Sequence, residues 1–145
     1  MTDYGKPRIT IAEFERLAEE KLPLVVQYGI RAELIEAGRV ILRLPFDDGH
    51  LRPGGTVSGP VMLALADVAV YVLVLGLIGP VELAVTTSLN ANFLRRPRAR
   101  DLIAEARILK LGKRLVVGEV TIRSDGEDAP VCHVTATYSI PPLSE

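Results

Sequence analysis

Between Pro60 and Pro80 the chain runs VMLALADVAVYVLVLGLIG, nineteen residues with one charge, Asp67. By length alone this meets the threshold for a bilayer-crossing helix. A carboxylate well inside the run is costly in lipid, neither end carries a Lys/Arg cluster, and both ends abut Gly-Pro turns. The rest of the chain reads as alternating strands that need something to wrap around. A helix that is apolar all round can equally be one enclosed by protein. The expectation is therefore a central core helix and no membrane partner.

At 145 residues the chain is one ordinary domain, long enough to close a single core. Seventeen Lys+Arg against eighteen Asp+Glu give a net charge of −1, which removes the global electrostatic case for nucleic acid. Aromatic residues are 5% and Trp is absent, so aliphatic packing carries the core. One cysteine, Cys132, excludes an internal disulfide framework and a cysteine-rich zinc site, and two histidines argue against a multi-histidine metal cage; no metal is expected. The polar start MTDYGKPRIT has no apolar h-region, so a cytoplasmic location is expected.

No linker, repeat or low-complexity block divides the chain, which reads as a single domain, 1–145, with residues 1–23 as an N-terminal helical extension. Ile9 to Leu22 is an amphipathic helix with Thr10 as cap and Glu13 three residues on. Leu24 to Glu36 reads as a strand, Ala37-Gly38 as a hairpin turn, and Arg39 to Phe46 alternates cleanly. Asp47 to Gly59 is a Gly/Pro-rich loop before the apolar helix. Four strands follow, at about Val81–Leu94, Asp101–Leu111, Arg114–Ser124 and Val131–Ile140. In the last, Cys132, Val134, Ala136, Tyr138 and Ile140 share the face opposite His133, Thr135 and Thr137. The order fits an α+β domain in which one curved antiparallel sheet wraps one long apolar helix, and the short connections favour antiparallel neighbours in a meander.

Asp67 is the residue that asks for a function. An ionised carboxylate on an enclosed helix costs several kcal/mol unless it is paired or solvated. It is either a structural Asp bonded to backbone or a hydroxyl such as Tyr71, or a general base or nucleophile in an apolar cleft. The loop before the helix reads HLRPGGTVSGP: Gly54-Gly55 permits a tight turn, and Ser58-Gly59-Pro60 looks like a helix start. Such a start is a plain cap or a place where the Gly59 N–H holds an oxyanion. Gly59 and Asp67 are eight residues apart, roughly 12 Å along a helix, whereas a base and an oxyanion donor must both lie about 3 Å from one reacting centre. If both act on one carbonyl they come from different subunits, and the site requires a dimer.

Charge is unevenly spread. Residues 95–114 carry +6, offset by acidic flanks. The segment is a solvated surface or a phosphate-binding rim suited to an anionic nucleotide carrier such as coenzyme A; a nucleic-acid site would want more aromatic neighbours than Phe93.

The stretches GGTVSGPVMLALADVA, AVTTSLNANFLRRP and LGKRLVVGEVTI resemble the hotdog-fold acyl-CoA thioesterases of the phenylacetate-degradation type, from about Tyr28 to Tyr138. The resemblance implies a hotdog fold, a homo-oligomer (dimer or dimer of dimers) and an acyl-CoA substrate, with coenzyme A entering as part of the substrate and no other cofactor. Laid on the family motif Asn-x-x-Gly-x-x-His-Gly-Gly plus a helix acid, the first Gly is Gly55, the oxyanion Gly is Gly59 and the acid is Asp67. The family's polar residue on the next strand falls at Thr86, placed to orient the attacking water or Asp67. Arg95, Arg96, Lys113 and Arg114 are the implied coenzyme A contacts. The chain departs from the motif where Asn becomes Arg52, His becomes Ser58 and the second Gly becomes Pro60. Ser58 can donate a hydrogen bond but cannot carry a proton as imidazole does, and Arg52 can reach a carbonyl or phosphate. Leu63, Val70 and Tyr71 are expected to border the acyl pocket. His50 is either a local proton donor or an exposed loop residue, His133 is structural, and Cys132 is a small buried apolar residue. The competing reading is a non-catalytic acyl-CoA or aromatic-ligand binder on the same scaffold.

Overall fold

The computed structural model describes residues 2–142; Met1 and residues 143–145, the outermost positions of the expected domain, lie outside the described residues. The chain begins with helix α1 (Ile11–Lys21) and a short helix α2 (Pro23–Tyr28), followed by strands β1 (Arg31–Glu36) and β2 (Arg39–Leu44). A small hairpin, β3 (Leu51–Arg52) and β4 (Thr56–Val57), leads into the long helix α3 (Gly59–Ile78). Strands β5 (Val85–Phe93), β6 (Leu102–Leu111), β7 (Leu115–Ser124) and β8 (Pro130–Ser139) complete it.

Local chemistry explains these boundaries. Thr10 and Glu13 form a reciprocal capping box, each side chain bonding the other's backbone N–H, which satisfies two orphan donors of α1. Residues 24–28, expected as strand, are helical. Pro23 in the first turn is preorganised for a helix, and Gly29, at φ 70°, closes α2 in the left-handed region; these caps outweigh the strand preference of Val25-Val26. The loop expected at 47–59 contains the β3–β4 hairpin, turned by Gly54 and Gly55 at φ 99° and 76°, values that favour glycine.

Six strands form one antiparallel sheet in the order β1-β2-β6-β7-β8-β5. The expected simple meander is therefore corrected at one point. β5 does not pair with its successor β6 but crosses to the far edge beside β8, with Thr86 opposite Tyr138 and Phe93 opposite Cys132. The sheet's concave face wraps α3, and 72% of the most apolar window of this helix is buried inside the fold. Its convex face carries charge: Glu105 accepts from Arg39 at 2.6 Å and from Arg123 at 3.1 Å. This is the architecture, a hotdog, that the sequence leads one to expect.

The helix seats closely because β7 offers no side chain at Gly118. A Cβ there would stand 2.9 Å from Leu73 Cδ2 and 3.7 Å from Val70 Cγ1. Gly118→Val is expected to cost about 1–3 kcal/mol by overpacking, read as a lower chemical-denaturation midpoint; an unchanged midpoint would show that α3 can shift away freely.

Candidate active site

Asp67 is not enclosed on all sides as the uniform apolarity of its helix suggested. Along α3, Pro60, Leu63, Ala64 and Asp67 form a stripe that stays partly accessible, at the three- and four-residue spacing of one helix face. The sheet covers the rest of the helix and ends at β5, so this stripe runs beside the sheet's edge.

Two hydroxyls hold the carboxylate. Thr86, one residue into β5, donates to Asp67 Oδ1 at 2.5 Å. Tyr138, its register partner on β8, lies 2.8 Å from the same oxygen and 2.9 Å from the Asp67 carbonyl. Tyr138 is 3% exposed, and burial together with the Asp67 charge pushes its hydroxyl well above the ordinary tyrosine range, so it remains a donor at any working pH. Oδ1 thus carries both bonds, and Oδ2 is left for water or substrate. Tyr71, one hydroxyl that a structural Asp67 could have bonded, instead donates to the Glu82 carbonyl at 3.1 Å. Tyr138 escaped assignment as a site residue, although the signal existed: its inward-facing strand position puts a hydroxyl into an apolar core whose helix bears one charge.

At the other end of the stripe, α3 starts at Gly59. Ser58 is its N-cap residue, but its hydroxyl makes no capping bond and remains available. Phe93, at the far end of β5, lies over Gly59, with its Cζ 3.4 Å from where a Cβ would be. A cleft of about 440 Å³ opens here, lined by Arg52, Gly59, Met62, Phe93, Arg95 and Arg96 among others. Helix N-terminal N–H groups and three guanidinium groups make this end favourable to anions.

Other expected site residues are dispersed. Lys113 and Arg114 line a separate cavity with Ile78 and Val81, near the C-terminal end of α3 and about 30 Å along the helix from Gly59. One protomer therefore does not join them to Arg95 and Arg96. Val70 is fully buried beneath Gly118, on the helix face turned to the sheet. Leu63 lies on the accessible stripe, and Tyr71 is buried with its ring 6.3 Å from that of Tyr138. His50 packs on Tyr28 with ring centroids 5.4 Å apart, and His133 pairs with Glu119 at 2.9 Å on the convex face. Cys132 is fully buried, its thiol pushed up to about 11 by desolvation, so it is unreactive.

Comparison with known proteins adds three findings. Residues 54–131 match the family model of the thioesterase superfamily. A Saccharolobus solfataricus protein assigned as an esterase is 30% identical over 115 residues, covering 79% of this chain and 75% of that one; a 1,4-dihydroxy-2-naphthoyl-CoA hydrolase of Listeria monocytogenes is 28% identical over 99 residues, covering 68% and 80%. The crystal structure of a Silicibacter sp. protein assigned as a thioesterase superposes with a TM-score of 0.86 at 45% identity, covering 94% of this chain and 95% of that one.

Proposed function

Because the chain belongs to the thioesterase superfamily, we propose that it hydrolyses acyl-CoA thioesters, of the phenylacetate-degradation type in its motif, at a site that two copies build together. The observation that carries this reading is the tethered Asp67 carboxylate on the accessible stripe of α3, beside an unpaired sheet edge. In the reaction, Asp67 Oδ2 takes a proton from water as the water oxygen attacks the thioester carbonyl, or Oδ2 attacks that carbon itself to give an acyl–Asp67 anhydride that water then hydrolyses. The developing oxyanion accepts from the Gly59 N–H of the second copy, and the thiolate leaves as the carbonyl reforms, taking its proton from the protonated Asp67 or from water. Thr86 and Tyr138 hold Asp67 in position, and Ser58 supplies a donor where the family motif has His.

The need for a second copy follows from the edge strand. Among the described residues nothing pairs with the outer backbone groups of β5, which exposes Val85, Phe93 and the adjoining Leu94 by 55%, 52% and 49%, a ready template for another strand. Thr86 lies by Asp67, whereas Phe93 lies by Gly59. An antiparallel, two-fold pairing centred between Leu89 and Asn90 sets Thr86 of one copy opposite Phe93 of the other. Asp67 then meets the partner's Gly59, closing a gap that neither chain can close alone. The same symmetry brings Arg95 and Arg96 to the end of the assembly that carries the partner's Lys113 and Arg114, where they serve coenzyme A phosphates. The reading includes a cytoplasmic site of action.

Free-thiol release from a panel of short, long and aryl acyl-CoAs tests the function. Hydrolysis of at least one by a dimer or dimer of dimers is expected. Arg52 and Ser58 in place of the motif's Asn and His favour the second reading, a non-catalytic binder, and tight acyl-CoA binding without thiol release across the panel would establish that instead.

A further inference from the structure

The cleft at the start of α3 is lined by cations from two parts of the chain. Arg95 and Arg96 follow β5, and Arg95 already donates to the Pro130 carbonyl at 2.5 Å. Arg52 comes from the β3–β4 hairpin that runs directly into the helix. Backbone bonds fix its position relative to Gly59. Arg52 pairs with Thr56 across the hairpin, its carbonyl accepts from the Gly55 N–H at 3.1 Å, and the Ser58 N–H donates to the His50 carbonyl at 2.9 Å. Arg39, Arg43, Arg98, Arg107 and Arg123 each pair with an acid. Among the described residues the Arg52 guanidinium has no such partner, and no acid lines the cleft it faces. The helix start itself is short of donors. Pro60 carries no N–H, so the group that would follow the Gly59 N–H is missing, and the Met62 N–H is bonded to the Ser58 carbonyl at 3.3 Å.

We infer that Arg52 is a catalytic residue of the thioester site, its guanidinium donating together with the Gly59 N–H of its own chain to the oxyanion of the thioester carbonyl. The inference rests on the reading of Asp67 and Gly59 as the two halves of that site. As the water oxygen bonds to the carbonyl carbon, the π pair moves onto the carbonyl oxygen and the water proton passes to Asp67 Oδ2 of the second copy. The pair returns when the C–S bond breaks and the thiolate leaves. Arg52 exchanges no proton in either step; a guanidinium offers five donors and keeps its charge throughout. Its bond to the oxyanion is charge-assisted and stronger than its bond to the uncharged carbonyl. The gain therefore falls in the transition state and is read in kcat. A guanidinium that only held a coenzyme A phosphate would act on KM instead.

The test measures kcat and KM for the wild type and Arg52→Met on the best acyl-CoA of the panel. It repeats both on the same acyl group carried by pantetheine, which lacks the nucleotide and its phosphates. In the variant kcat is expected to fall about 10²-fold or more on both carriers, with little change in KM, as when one oxyanion donor is removed. Position 52 is exposed, so thermal unfolding should match the wild type. A loss confined to acyl-CoA and carried by KM makes Arg52 a phosphate ligand and overturns the inference while sparing the thioesterase reading. Unchanged kinetics in the folded variant does the same. A wild type that hydrolyses no thioester overturns both. If Arg52→Met does not fold, Arg52→Gln, which keeps a neutral donor, decides in its place, with an expected kcat loss of about tenfold on both carriers.

Discussion

Asp67→Asn is expected to leave the fold in place and to lower kcat on the best acyl-CoA by about 10²–10⁴-fold, the usual contribution of a positioned base. The asparagine carbonyl occupies the place of Oδ1 and still accepts from Thr86 and Tyr138, which hold that oxygen at 2.5 and 2.8 Å. Its NH₂ replaces Oδ2, the oxygen without a bond to either hydroxyl, and an amide nitrogen neither takes a proton from water nor attacks a carbonyl carbon. Thermal unfolding should be close to that of the wild type, and free-thiol release is the measurement. An undiminished rate removes Asp67 from the chemistry and reduces its two hydroxyl bonds to structural ones.

Mixing two inactive variants restores activity if the site is shared. Asp67→Asn lacks the acid, and Gly59→Val crowds the oxyanion donor with its two methyls, because a Cβ there already touches Phe93 at 3.4 Å. Each is expected to retain about 1% of activity or less, from the 10²-fold and larger effects of losing such groups. After exchange of subunits at equal concentrations, half of the dimers are mixed. Each mixed dimer holds one intact site, combining Asp67 of the Gly59→Val chain with Gly59 of the Asp67→Asn chain. About one quarter of wild-type activity should therefore return, under the same two-fold pairing. A site contained in one chain predicts no recovery, because every chain in the mixture carries a defect.

The residues around Asp67 were legible to unequal degrees. Asp67 and Gly59 stand out because each breaks a local pattern, a charge in an apolar helix and a glycine opening a helix, whereas Thr86 was picked out only by the family resemblance. Tyr138 is 71 residues from Asp67 in sequence, and only the register of β5 on β8 brings it there. The basic segment 95–114 reads as one patch in a linear charge plot, yet the chain between its ends crosses the sheet and returns. Arg95 and Arg114 consequently serve different ends of α3. Val70 shows the same limit in the core. Nothing in a helix that is apolar all round says which face the sheet will cover, so its neighbours in sequence cannot tell pocket from interior.

By itself the sequence determined the enclosed helix, the capping box of α1, the alternating strands and the family motif, because each depends on residues a few positions apart. The tertiary structure decided the rest. The crossing of β5 to the sheet edge leaves part of the helix uncovered, and that gap turns a costly charge into a reachable carboxylate. The 19 nearly uncharged residues between Pro60 and Pro80 required a fold that encloses them; where the enclosure stops depends on strand order, which no local pattern encodes.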